Sequence, residues 1–133
     1  MSELLEFARR YTEAWCSGEP AQVAEQYAPN GSLTINSGAP SIGRETITEA
    51  ARGFMDGFPD LRVEMDDLRG DLEPPEYHWT LTGTNTGTGG TGRGIRISGF
   101  EQWTIGGDGL IAASLGFYDE TEWDRQINGG PGS

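Results

Sequence analysis

The chain has 133 residues, a net charge of −12 at pH 7, and nine cations that are all arginine. That length bounds it to one domain with a single core or one enclosed pocket, and 35% hydrophobic content with four Trp, five Phe and four Tyr suffices for a globular fold. The charge repels nucleic acid, whose binding rests on clustered basic residues. The lack of lysine excludes a Schiff-base nucleophile, and His78 with Cys16 cannot assemble a His/Cys zinc site within one chain. Met1-Ser2-Glu3-Leu4-Leu5 lacks the basic start and apolar run of a secretory signal. A single cysteine asks for no oxidising compartment, and no segment has the length and apolarity of a membrane span. The expected setting is cytoplasmic, with neither membrane nor nucleic-acid partners.

Leu4, Phe7, Ala8, Tyr11 and Trp15 recur at helical spacing, with Glu3 and Glu6 near the favourable end, and predict a first helix over about 2–17. Gly18 ends it, and Pro20 is placed to open a short second helix carrying Val23, Ala24 and Tyr27, stopped by Pro29-Asn30-Gly31. Leu33 and Ile35 mark a short strand before a Gly/Pro/Ser loop. A third helix is expected from near Gly43 to Met55, with Ile47, Ala50, Ala51 and Phe54 inward. Strand alternation then takes over at Leu61, Val63 and Met65, turns at Glu73-Pro74-Pro75, and resumes at Tyr77, Trp79 and Leu81. A Gly/Thr-rich loop leads into a final hairpin, and a last helix is expected over 120–127. Helices first and antiparallel strands later is the α+β order. One domain over 1–128 and a disordered tail over 129–133 complete the expectation.

Two motifs drop out on context. Gly87-Thr88-Gly89-Gly90-Thr91-Gly92 has the letters of a dinucleotide fingerprint, but strand patterns flank it on both sides and no helix follows to receive a pyrophosphate. His78, the single imidazole, alternates with the apolar Tyr77 and Trp79, so it turns to the opposite face with Thr80 and Thr82, away from any pocket.

The hairpin carries the chemistry. Asp108-Gly109 suggests a type I turn with a glycine bulge, pairing Gly106 with Leu110 and Ile105 with Ile111. That register puts Ile97, Glu101, Trp103 and Ile105 on one face with Ile111, Ala113, Leu115, Phe117 and Asp119. A two-residue turn would instead bring Leu110, Ala112, Ser114 and Tyr118 there, and the first is preferred for its larger apolar set. A carboxylate on an apolar face needs something to offset its desolvation. Glu101 is therefore a candidate general base with a raised pKa; the competing reading is an edge carboxylate leaning into solvent or paired with an arginine such as Arg96. Asp119 is a second candidate, but it directly precedes Glu120-Thr121-Glu122 and is better suited to cap the last helix. Tyr11, Trp15, Phe54, Trp79, Trp103 and Phe117 either line a ligand cavity or fill a core.

Tyr11-Thr12-Glu13-Ala14-Trp15, Tyr27-Ala28-Pro29-Asn30-Gly31, Gly43-Arg44-Glu45-Thr46-Ile47, Trp79 to Thr84, Asp108-Gly109-Leu110-Ile111 and Phe117-Tyr118-Asp119 follow one another in an order and spacing that resembles the SnoaL-like polyketide cyclases of the nuclear transport factor 2-like superfamily. The resemblance covers about Leu5 to Ile127. It implies a cone-shaped, curved mixed β-sheet wrapped by the N-terminal helices, open at one end and often homodimeric through the sheet. The cyclases of this family look to an aspartate and a histidine in the cavity; this chain has no histidine in its last two strands and carries Asn85 where relatives commonly have one. The expected function is binding of a hydrophobic, oxygenated small molecule of polyketide or steroid kind. Cofactor-free cyclase or isomerase chemistry would then use Glu101 as base and Tyr118 or Asn85 as hydrogen-bond donor to an enolate. The alternative is a non-catalytic ligand-binding or protein-interaction module of the same fold.

Overall fold

A computed structural model describes residues 2–36, 38–87 and 89–128; the expected disordered tail at 129–133 lies outside them. Among the described residues, α1 (Ser2–Cys16) and α2 (Pro20–Ala24) precede β1 (Tyr27–Ile35) and the short β2 (Ser41–Ile42). Then come α3 (Arg44–Gly57), β3 (Arg62–Arg69), β4 (Glu76–Thr84), β5 (Gly94–Ile105), β6 (Ile111–Tyr118) and α4 (Glu120–Asn128). The strands form one sheet in the order β2-β1-β6-β5-β4-β3, parallel between β1 and β6 and antiparallel elsewhere. This is the expected α+β arrangement, a curved mixed sheet with its helices gathered on one face. No helix among the described residues is long and apolar enough to cross a membrane.

α1 buries Phe7, Ala8, Tyr11 and Trp15 of the stripe its spacing predicts, together with Ala14, against the inner face of the sheet, and leaves Leu4 half-buried. α3 runs two residues beyond Met55. It buries Ile47, Ala51 and Met55, while Ala50 and Phe54 are only half-buried.

Two expectations need correction. Tyr27 does not end the second helix but begins β1, paired with Ile111, because its ring fills the core completely. Pro29-Asn30-Gly31, expected as a stop, lies inside the strand where the β1–β6 register shifts between Tyr27 and Ser32, and proline is tolerated at such irregularities. Gly31 is required there: a Cβ would stand 2.6 Å from the Ile111 carbonyl oxygen.

The second correction concerns the hairpin. Its turn is the expected one, with Ile105 opposite Ile111, the Gly106 amide donating to Leu110 at 2.9 Å, and Gly109 at φ +79°. One residue later the register slips, since Thr104 pairs with Ala113 and leaves Ala112 without a counterpart. Beyond that bulge Trp103 faces Ser114, Glu101 faces Gly116 and Gly99 faces Tyr118. Ala113, Leu115 and Phe117 are thereby turned to the outer face, and Leu115 is 44% exposed. The turn follows one register and the strand follows the other.

Candidate active site

On the inner face of the sheet, Tyr77, Glu101, Gly116 and Ile35 form one cross-strand row, and Trp79, Gly99 and Tyr118 form the next. Gly116 leaves a gap in a face otherwise covered by large side chains, and the Trp79 indole lies over its neighbour Gly99. Above them lies an apolar hollow, about 50 Å3 within its walls and about 560 Å3 with its open mouth counted. Trp15 of α1, Phe54 of α3 and Trp123 of α4 close it from the helical side; Leu33, Ile35, Trp79, Glu101, Gly116 and Tyr118 contribute from the sheet. Trp123 meets the rings of Phe54 at 5.7 Å, Phe58 at 5.5 Å and Tyr118 at 5.3 Å, so the last helix acts as a wall.

Glu101 is 7% exposed and is the single carboxylate among the lining residues. Its Oε1 accepts from the Ser114 hydroxyl at 2.7 Å, the Trp103 indole N–H at 2.9 Å and the Tyr11 hydroxyl at 2.9 Å. Oε2 receives only the longer side of the shared Tyr11 contact, at 3.1 Å, and keeps spare acceptor capacity. A phenol has one proton, so donation from Tyr11 to Glu101 obliges Tyr27 to be the donor in the 2.8 Å contact between the two tyrosines. The chain of donors thus runs from Tyr27 through Tyr11 to the carboxylate. Burial raises the Glu101 pKa above its ordinary value, and the bonds from Trp103, Ser114 and Tyr11 pull the other way without cancelling it. Tyr11 is driven well above its usual pKa, first by burial and then by the Glu101 charge, so it stays a donor.

Trp15, Phe54, Trp79, Phe117 and Tyr118 border the cavity, although the Phe117 ring lies 5.0 Å from that of Phe100, its partner in register on the outer face. Tyr11 and Trp103 are fully buried behind Glu101, as the floor's support rather than its surface. Asn85 is elsewhere: its Nδ2 donates to the Gly57 carbonyl at 3.1 Å and its Oδ1 accepts from the Thr91 amide at 2.8 Å, fastening the glycine-rich loop to the end of α3. Asp119 is exposed and caps α4, accepting from the amides of Thr121 at 3.0 Å and Glu122 at 3.1 Å. The Tyr118 pKa is raised by burial and then by Glu120 and Asp124, which places its influence toward α4. Arg96 projects from the opposite face of β5 to Glu101, and its backbone bonds to the Gln126 side chain. His78 is also outward, against Glu76 at 3.0 Å and the Phe100 ring.

Sequence reasoning missed Ser114, Gly116 and Trp123. Ser114 was visible only in the register not preferred. Trp123 gave a helical-spacing signal too short to orient. A second, more polar hollow beyond Trp15 is bordered by Cys16, Arg52 and Asp56, all exposed, and it presents no buried titratable group. Among the described residues no three His, Cys, Asp or Glu side chains gather as a metal-holding group.

Helices laid over one face of a curved mixed sheet, with a cavity between, define the nuclear transport factor 2-like, ketosteroid isomerase-like class of α+β folds. Within it, the SnoaL-like domain matches residues 8–114, and the chain belongs to that family. Among solved structures, a SnoaL-like polyketide cyclase candidate from Jannaschia sp. CCS1 is 19% identical, covers 98% of this chain and 94% of its own, and superposes with a TM-score of 0.79. A hypothetical protein with a ketosteroid isomerase-like fold from Catenulispora acidiphila DSM 44928, solved with trimethylamine, is 16% identical with 95% and 94% coverage and a TM-score of 0.81. An NTF2-like protein of unknown function from Burkholderia pseudomallei K96243 is 19% identical with 96% and 98% coverage and a TM-score of 0.80. Identities this low establish the fold alone. No curated protein sequence matches the chain.

Proposed function

We propose that this one-domain protein is a cofactor-free acid–base enzyme, a cyclase or isomerase acting on a hydrophobic, oxygenated substrate of polyketide or steroid kind. The observation that carries the reading is Glu101, a carboxylate on the floor of an apolar cavity with Oε1 held by three donors and Oε2 left with spare acceptor capacity. Oε2 takes a proton from the carbon next to a substrate carbonyl, and the released electron pair moves onto the carbonyl oxygen as an enolate. Glu101, now neutral, returns the proton to another carbon in an isomerisation. In an aldol-type cyclisation the enolate carbon attacks a second carbonyl, and the proton goes to the alkoxide so formed. A carboxylate whose pKa is raised toward working pH is a stronger base and still available in ionised form.

The test is solvent-deuterium incorporation next to the carbonyl of 1-tetralone, a small bicyclic ketone, followed by proton NMR. Acceleration over buffer supports the enzyme reading. Binding without acceleration supports the second reading, a non-catalytic ligand-binding module. That alternative draws on one feature: the other titratable groups of the wall, Tyr77 and Tyr118, look elsewhere, to Thr12 at 2.5 Å and toward α4.

Because the Ser114 hydroxyl favours the ionised form of Glu101, Ser114→Ala should move the carboxylate titration upward. The pH at which exchange activity half-develops should move up with it. A profile that stays in place would remove Ser114 from the site's electrostatics.

In this reading the protein works as a homodimer through the outer sheet face, where Phe100 and Phe117 touch and Leu115 is 44% exposed. The single Cys16 suits a reducing, cytoplasmic setting. Solution mass should be twice that of the 14.4 kDa chain; a monomer at high concentration overturns the dimer.

A further inference from the structure

One buried donor on a cavity-lining residue has no task in the network around Glu101. Trp79 lines the cavity, and its indole Nε1 is buried with no hydrogen-bond partner among the described residues. Buried donors are almost always satisfied, so an orphan asks for a reason. The contrast within the same floor is direct, because the Trp103 Nε1 donates to Glu101 at 2.9 Å.

The position of Trp79 is set by its neighbours. It pairs with Gly99 on β5, while Glu101 two residues along pairs with Tyr77. On the inner face Trp79 is therefore the diagonal cross-strand neighbour of Glu101, a relation that separates backbone positions by about 7–8 Å. Gly99 lets the indole lie low across β5, since a Cβ there would stand 2.7 Å from Cζ2 and 3.0 Å from Cη2 of Trp79. Cζ2 is bonded to the ring carbon that carries Nε1, so the donor belongs to the edge lying over the glycine floor. The ring continues toward Tyr118, with centroids 6.3 Å apart.

We propose that Trp79 Nε1 donates a hydrogen bond to the carbonyl oxygen of the ligand, which makes the ligand class enolisable ketones whose acidic C–H reaches Glu101 Oε2 while the oxygen reaches Trp79. This rests on the preceding reading of the cavity and its base. The indole N–H is a donor only, so it selects an acceptor oxygen and gives nothing to an ammonium group. Glu101 in its ionised form and the net charge of −12 disfavour a carboxylate ligand in the same space. In the reaction, the proton passes from carbon to Glu101 Oε2 and negative charge develops on the oxygen. Trp79 keeps its proton throughout and stabilises that charge through the hydrogen bond.

The experiment compares 1-tetralone with tetralin, the same bicycle without the oxygen, against the intact chain and Trp79→Phe. The ratio of the two affinities cancels the change in cavity shape. It should shift against the ketone by about fivefold to tenfold in Trp79→Phe, the worth of one net hydrogen bond. In the unsubstituted protein, labelled with 15N, the Trp79 Nε1–H resonance should move downfield with 1-tetralone and stay in place with tetralin, a readout that stands even if the variant folds poorly. An unmoved resonance, or an unchanged ratio, overturns the Trp79 assignment and leaves Glu101 as base untouched. A cavity that binds neither compound sinks this inference together with the reading beneath it. Exchange that proceeds equally without the Glu101 carboxylate removes the base but not the indole contact.

Discussion

Glu101→Gln should cut deuterium exchange into 1-tetralone by about 100- to 10,000-fold, the usual contribution of a positioned general base, while the ketone still binds. Glutamine keeps the shape of the side chain and an acceptor oxygen for Ser114, Trp103 and Tyr11, but its amide cannot take up a proton. The same variant should change how stability depends on pH. Burial raises the Glu101 pKa in the folded chain above the ordinary 4.5, so the folded state holds this proton more tightly than the unfolded state. The stabilisation is complete below pH 4.5 and is lost as pH rises through the folded value. Urea midpoints of the unsubstituted protein should therefore fall relative to Glu101→Gln from about pH 4.5 upward. Parallel midpoints across that range, with exchange intact, would take Glu101 out of the mechanism and leave the binding module in front.

The legibility of Glu101 and the illegibility of its partners have one physical origin. Strand parity within β5 is set locally by Ile95, Ile97 and Trp103, all buried, so the sequence alone places Glu101 on the core face. The facing strand is different. β6 lies between β5 and a parallel β1, and the slip at Ala112 brings Ser114 opposite both Trp103 and Leu33. Nothing local to Ala112-Ala113 announces that bulge. Counting apolar residues favoured Leu115 and Phe117 as inward, and the sheet exposes Leu115 on the outside instead. With Leu115 inward, a large side chain would occupy the space beside Glu101 that Gly116 leaves open. Tyr27 misled for a related reason, since helical spacing fits it equally well but its hydroxyl is needed beside Tyr11. The cap at Asp119 and the outward His78 were readable because each depends on neighbours within three residues. Trp79 was readable as an inward aromatic, but an unmet N–H is a tertiary fact.

Trp103 joins the core to the site, and two substitutions should separate these roles. It is fully buried, stacked on Tyr77 at 4.9 Å and edge-on to Tyr11 at 5.2 Å and Phe7 at 5.4 Å, with its N–H on Glu101. Trp103→Ala opens a cavity under the floor and should cost about 3–5 kcal/mol, a large share of a typical domain's stability of about 5–15 kcal/mol. The expected result is a chain that is unfolded or nearly so at 37 °C by circular dichroism. Trp103→Phe keeps a ring against Tyr77 and Tyr11 and should fold, but it deprives Oε1 of one of its three donors. That bond favours the ionised carboxylate, so its loss should raise the Glu101 pKa further. The stability gap to the unsubstituted protein should then widen as pH rises through the folded Glu101 titration, above 4.5, where the folded chain must carry a less well satisfied charge. Carboxylate NMR titration reads the first effect and urea denaturation at several pH values the second. A Trp103→Phe variant with an unmoved Glu101 titration would mean that the indole serves the core alone and that Ser114 and Tyr11 suffice to hold the base.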